Sequence, residues 1–278
     1  MKKWYMVIDV ALCEDCNNCF LACKDEHVGN DWPGYAASQP AHGQRWMNIM
    51  RRERGQYPAV DIAYRPTPCM HCADAPCVAA GNGACRRRED GIVLIDPAKA
   101  KGAKQLAAAC PYGAIWWNDA ADVPQKCTLC AHLLDGGWTK PRCVQACPTG
   151  ALRVEYLDGA TWDRLVAAEG LEALNPEFGT RPAVYYKNLY RYDRCFIAGS
   201  LAVTRDGTTD CAAGVKVALH SGADKVGETE TDAFGDFRFD GLATGGGRYT
   251  LAIDAGAGGR KELAVDLKES TTIGVIFL

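Results

Sequence analysis

Apolar and polar positions alternate in four short runs near the end of the chain: Gly214-Val-Lys-Val-Ala-Leu219, Asp236-Phe-Arg-Phe-Asp240, Arg248-Tyr-Thr-Leu-Ala-Ile253 and Ile273-Gly-Val-Ile-Phe-Leu278. A period of two puts alternate side chains on one face, and Gly and Asp break the runs at strand-like intervals. The pattern predicts an antiparallel β-sandwich of about seven strands over 196–278. Upstream the period changes. Thr161-Trp-Asp-Arg-Leu-Val-Ala-Ala-Glu169 has helical spacing, with Gly170 to end it. The apolar start, Trp4 to Leu12, is broken by Asp9 and runs straight into Cys13, leaving no cleavage region. It reads as a strand and not as a signal peptide. Residues 181–192 are tyrosine-rich without a helical period, which predicts an extended strap.

Composition divides the chain at the same place. All seven tryptophans and all thirteen prolines precede Phe196, so two domains are expected, 1–195 and 196–278. The 278 residues are enough to bury a core without disulfides. A net charge of −3 with 23% charged residues argues against a nucleic-acid or anionic-membrane surface. The local runs Arg51-Arg-Glu-Arg54 and Arg86-Arg-Arg88 read as solvated faces. No apolar stretch approaches the roughly 20 residues of a membrane span. A cytoplasmic protein is expected.

The cysteines change this picture. There are fifteen, and thirteen precede residue 150, mostly two to four residues apart. Neighbours that close make poor disulfides, and bridged frameworks belong mainly to short secreted domains. Tight thiol clusters are better explained as metal ligands. Four segments carry them. Cys13-x2-Cys16-x2-Cys19-x3-Cys23 has the full bacterial ferredoxin spacing. Cys69-x2-Cys72-x4-Cys77 is followed at x3 by Gly81. A third segment is reduced to Cys110, with Ala100, Ala103 and Leu106 at the other three positions. The fourth is Cys127-x2-Cys130-x12-Cys143-x3-Cys147-Pro148.

In such motifs the fourth cysteine ligates a different cluster from the first three. Pairing the first segment with the fourth gives Cys13, Cys16, Cys19 and Cys147 as one set and Cys23, Cys127, Cys130 and Cys143 as another. Pairing the second with the third gives Cys69, Cys72, Cys77 and Cys110. The remaining set would be Gly81, Ala100, Ala103 and Leu106. All four vacancies therefore fall on one site, which predicts three 4Fe–4S clusters and a fourth replaced by small apolar packing. Zinc is the weaker reading, because its sites favour two-plus-two ligand spacing. A 3Fe–4S cluster is also weaker, since every set has its fourth thiol. Cys85, Cys195 and Cys211 fit no set and read as structural, with Cys85 the substitute should the pairing differ. His71 and His132, inside cysteine loops, read as hydrogen-bonding or exposed groups.

The expected fold class is α+β: two ferredoxin-like iron–sulfur units about a pseudo-two-fold axis, with one cluster site lost. The outer unit takes 1–60 plus 115–195 and the inner 61–114. The C-terminal sandwich resembles immunoglobulin-like modules. The cysteine pattern resembles the iron–sulfur subunits of molybdopterin oxidoreductases of the dimethyl sulfoxide reductase family. Asp15-Cys-Asn-Asn-Cys-Phe20, Arg45-Trp-Met-Asn-Ile49, Tyr64-Arg-Pro-Thr-Pro-Cys-Met-His-Cys72 and Val184-Tyr-Tyr-Lys-Asn-Leu-Tyr-Arg191 resemble, within it, the small subunits of pyrogallol–phloroglucinol transhydroxylases and related aromatic hydroxylases. The resemblance implies a heterodimer whose large partner holds molybdenum or tungsten on a bis-molybdopterin guanine dinucleotide. That partner would transfer or insert hydroxyl groups on polyhydroxylated benzenes. The chain itself would be an electron-transfer subunit with no active site. A free-standing polyferredoxin, or a subunit of another oxidoreductase of that family, is the alternative.

Overall fold

In a computed structural model, which describes residues 1–256 and 259–278, the chain forms two compact units. The first takes Met1–Arg51 and Tyr64–Leu189, the second Arg52–Ala63 and Tyr190–Leu278. The boundary thus falls a few residues before Phe196, and a piece of the N-terminal region, Arg52–Ala63, joins the C-terminal unit. Among the described residues no helix is long and apolar enough to cross a membrane.

The first unit is organised on a four-stranded sheet. Lys3–Asp9 runs antiparallel to Leu152–Leu157 on one side and parallel to Val184–Lys187 on the other, and Glu172–Ala173 closes the edge. Strand geometry sends alternate side chains to opposite faces. On one face Val7 packs with Trp162 and Leu171, and Tyr5 stacks on Trp162 at 4.1 Å between ring centroids. Trp162 belongs to the helix Gly159–Glu169, whose first turn is capped by the Asp158 carboxylate and whose end is set by Gly170 in the left-handed region. On the other face Met6 and Ile8 are fully buried. A strand buried on both faces must sit inside the unit, so the two ends of the cysteine-bearing chain meet there. The expected strap is half right: Val184–Lys187 is an interior strand, and Tyr190–Asp193 is a single helical turn. Its apolar side chains alternate, Val184 and Tyr186 buried, which is why it pairs instead of lying loose.

The rest of the first unit consists of cysteine loops, short helices and the hairpins Cys85–Arg87/Val93–Ile95 and Trp116–Asn118/Val123–Gln125. The helices are Asn18–His27, Pro76–Ala80, Gln105–Ala108, Ala131–Asp135 and Arg142–Gln145. Most are a single turn, too short to persist by propensity alone. Whatever the loops enclose must hold them.

In the second unit two sheets share one core. Cys195–Arg205 pairs with Thr208–Cys211, Asp236–Leu242 and Thr271–Phe277, and the order Asp224–Glu230, Lys216–Ser221, Gly247–Asp254, Arg260–Leu267 makes the other sheet. Val217, Leu219, Leu251, Ile253 and Leu267 are at most 1% exposed and meet Phe237 and Phe239 across the core. Two expectations are corrected. Eight strands follow Tyr190 among the described residues, not seven; the unread one, Thr208–Cys211, is exposed throughout and so carries no alternation. The last strand pairs in parallel with Cys195–Arg205, so the sheets are not purely antiparallel.

The Arg52–Ala63 piece is held to this unit by charge. Arg54, 3% exposed, donates to Asp61 at 2.5 Å and to Asp240 at 2.9 Å, while Arg191 and Arg238 also pair with Asp61. Arg238 lies over the Phe196 ring at 3.9 Å. Gly55 is required beside it: at φ +77° a Cβ would stand 2.3 Å from the Ala59 carbonyl and 2.5 Å from that ring.

Candidate metal centres

Three of the four Cys-x2-Cys turns are built the same way; in the fourth, Cys16–Cys19, the left-handed residue is the second, Asn17. The third residue, Asp15, His71 or Leu129, is in the left-handed region at φ 55°, 45° and 54°. Few non-glycine residues adopt this conformation. It turns that residue's N–H back onto the first cysteine of the pair: His71 N–H to Cys69 Sγ and Leu129 N–H to Cys127 Sγ, each at 3.4 Å, and Asp15 N–H to Cys13. Inward-pointing amides of this kind stabilise anionic sulfur. The strain is common to all three loops, which marks it as functional.

The loops gather twelve thiols into three groups. Burial, and next the charge of Cys13, Cys16 and Cys147, raise the pKa of Cys19 to about 12, so these four lie together. Cys23 is raised by burial and by Cys127 and Cys130, and Cys143 by burial and by Cys130, Cys127 and Cys23, with Cys19 of the first group acting last. Cys69, Cys72, Cys77 and Cys110 line a single enclosed cavity, walled by Met70, Val93, Ile115 and the ring of Tyr112. Burial pushes Cys72 and Cys130 up to about 12 and Cys127 to about 11. Thiols so placed become good thiolates only when a cation joins them, and its binding releases protons.

The groups form a chain. Cys19 and Cys23 are one turn apart on the helix Asn18–His27 and belong to different groups. Cys69 acts on Cys127 both electrostatically and through its backbone N–H, linking the second group to the third. All fifteen cysteines are free. Among the described residues no three Cys, His, Asp or Glu side chains converge closely enough to hold a single ion. Zinc would draw its sulfurs to within about 4 Å of one another. A cubane offers four separate iron corners, one per thiolate, and suits thiols spread around a cavity. The donor set fits such a cluster. So does His71: its Nδ1 accepts from Val93 N–H at 3.1 Å, which leaves the proton on Nε2, a buried donor without a protein partner in the loop of Cys69 and Cys72.

The vacant fourth set has structural causes. A Cβ at Gly81 would meet the Cys77 carbonyl and the Cys85 Cβ, each at 2.8 Å, so no side chain stands there. Ala100 and Leu106 are fully buried and Ala103 half-buried. Yet Ala100-Lys101-Gly102-Ala103 keeps the shape of a Cys-x2-Cys turn, with its third residue Gly102 at φ +75°. The Gly102 N–H goes to the Asp122 carbonyl at 2.8 Å instead of to sulfur.

Of the other candidates, Cys85 is buried with its Sγ 3.7 Å from Cys77 Sγ. Cys195 is in the second unit's core and Cys211 is exposed. His132 pairs with Glu26 at 2.9 Å and stacks on Trp32, so it is neither exposed nor directed at a thiol. Lys126, unremarked in the sequence, is 3% exposed and lines the Cys69–Cys110 cavity. Burial works to lower its pKa, but the charges of Cys69, Cys85, Cys77 and Cys127 outweigh it and hold the group above the usual lysine value. The one sign of it in the sequence was a lone lysine in the otherwise uncharged Val123-Pro-Gln-Lys-Cys127.

Residues 60–156 match the 4Fe-4S dicluster domain family. Over its full length the chain is 52% identical to the pyrogallol hydroxytransferase small subunit of Pelobacter acidigallici, covering all of that protein. It is 34% identical over 68% of its length to a putative dimethyl sulfoxide reductase iron-sulfur subunit of Halobacterium salinarum, covering 80% of it. It is 32% identical over 67% of its length to a sulfite dehydrogenase subunit of Allochromatium vinosum, covering 83% of it.

Proposed function

Since the chain belongs to the family of the pyrogallol hydroxytransferase small subunit, among the iron–sulfur subunits of dimethyl sulfoxide reductase-type enzymes, we propose that it is the electron-transfer subunit of a molybdenum or tungsten enzyme acting on polyhydroxylated benzenes. The full-length likeness to a hydroxytransferase subunit carries this reading. The partner would be a large catalytic subunit in a cytoplasmic heterodimer, with the pterin-bound metal and the substrate site on that partner.

Three 4Fe–4S clusters would be held by the three groups of thiols: Cys13, Cys16, Cys19 and Cys147; Cys23, Cys127, Cys130 and Cys143; Cys69, Cys72, Cys77 and Cys110. Bound clusters supply one-electron chemistry at potentials set by burial, charge and hydrogen bonds to sulfur. The protein's part is to fix their spacing. The helix Asn18–His27 holds ligands of two groups one turn apart, and the Cys69–Cys127 contact joins the third. Crossed ligation between distant segments supports a ferredoxin-like arrangement of outer and inner units. The paired sheets of the second unit support an immunoglobulin-like module.

Anaerobic purification from the native host, followed by metal analysis and assays on pyrogallol, phloroglucinol and resorcinol, tests the reading. A stable large partner containing molybdenum or tungsten and hydroxyl transfer to or from such a ring are expected. An iron-loaded monomer with no such partner overturns it.

A further inference from the structure

A buried ammonium is costly unless something anionic faces it. Lys126 is such a group. Its Nζ donates to the Val93 carbonyl at 2.5 Å and to the Cys127 carbonyl at 3.1 Å. Among the described residues no carboxylate pairs with it. Carbonyl oxygens satisfy its N–H groups but do not balance its charge. The side chain lies on the wall of the cavity lined by Cys69, Cys72, Cys77 and Cys110, while its backbone adjoins Cys127 of the neighbouring group. Val93, which accepts from Lys126, donates to His71, so one hydrogen-bonded chain runs from the Cys127 turn through Lys126 and Val93 to the Cys69–Cys72 turn. Both turns are thereby tied to one fixed cation.

We propose that Lys126 is a positioning residue for electrons: a fixed positive charge between two of the three clusters that raises the reduction potentials of both. The inference rests on the assignment of clusters to the thiol groups made above. Each thiolate-ligated cluster gains one negative charge on reduction, and a nearby cation in a region of low dielectric stabilises the reduced form more than the oxidised one. None of Cys13, Cys16, Cys19 and Cys147 lines the cavity that Lys126 walls, so their cluster keeps its own potential. Electrons would then collect on the two clusters flanking Lys126.

The test is a potentiometric titration of the anaerobic holoprotein in its native complex, followed by electron paramagnetic resonance, on the wild type and on Lys126→Met, Lys126→Gln and Lys126→Arg. Both neutral variants should reduce two clusters less readily by at least about tenfold in the equilibrium, 59 mV per tenfold for one electron, with the third unchanged. Lys126→Arg should stay within a few-fold of the wild type. Unshifted potentials in the neutral variants overturn the proposal, as do equal shifts of all three clusters. Loss of iron from both neutral variants while Lys126→Arg retains it overturns it too, because the charge would then serve assembly and not potential. A wild type lacking three clusters defeats the underlying assignment instead, and the two failures are distinguishable by its iron content.

Discussion

Leu129 is a large apolar residue held at φ 54°, a conformation that costs on the order of 1–3 kcal/mol outside glycine. Its N–H is spent on Cys127 Sγ, and the same trade recurs at Asp15 and His71. The loops thus aim their amides at the sulfurs that would carry the clusters. Gly102 shows the converse: the turn persists at φ +75° where no sulfur remains to be served. The account predicts that Leu129→Gly keeps the loop and its iron, whereas Leu129→Val loses about 1–3 kcal/mol and loads its cluster poorly, since a β-branched side chain resists this region. Thermal denaturation with iron analysis of both variants checks it. Equal iron and stability in the two would show that the left-handed turn is incidental. None of these φ values is legible in the sequence, because Glu14-Asp15, Met70-His71 and Thr128-Leu129 share no residue type; the constraint lies in the sulfur and not in the residue.

At the scale of elements, spacing carried much of the information. The strand Lys3–Asp9, the helix Gly159–Glu169 and four strands of the C-terminal unit follow from period two or from helical period with a glycine stop. Thiols within one loop are placed by the Cys-x2-Cys spacing, whereas the distant fourth member of each set, Cys147, Cys23 or Cys110, rests on the crossed-ligation reading. What stayed hidden depends on distant partners or on exposure. Thr208–Cys211 has no buried face to betray it. The join of Arg52–Ala63 to the C-terminal unit rests on Arg54 meeting Asp240, 186 residues away. Those basic residues, taken as a solvated run, include an arginine whose side chain is 1% exposed. Burial works to raise the Asp61 pKa, but hydrogen bonds from Arg238 and Arg54 outweigh it and lower it to about 2. Its contribution to stability is therefore full above the ordinary carboxylate range and lost as the pH falls toward 2. Removing the buried arginine should cost more. Arg54→Ala is expected to destabilise the C-terminal unit by about 3 kcal/mol, because it leaves carboxylates partly buried with fewer partners. Denaturant melts of the full chain measure this, and a change below about 0.5 kcal/mol, typical of exposed sites, would place Arg54 among ordinary surface charges.

For the whole molecule, most helices of the first unit are single turns, and its core is interrupted by buried thiols that must give up protons to bind a metal. Folding and metal loading are therefore expected to be coupled there, while the second unit closes on an apolar core of its own. The central claim is that twelve thiols from four segments make three cages by exchange between distant loops, with Cys110 the lone survivor of its segment. Iron and acid-labile sulfide per chain, measured on anaerobically purified wild type and on Cys110→Ala, test this most directly. The account predicts about twelve irons in the wild type and about eight in the variant, four per cluster. A wild type far from that value, or a variant that keeps all its iron, would contradict it.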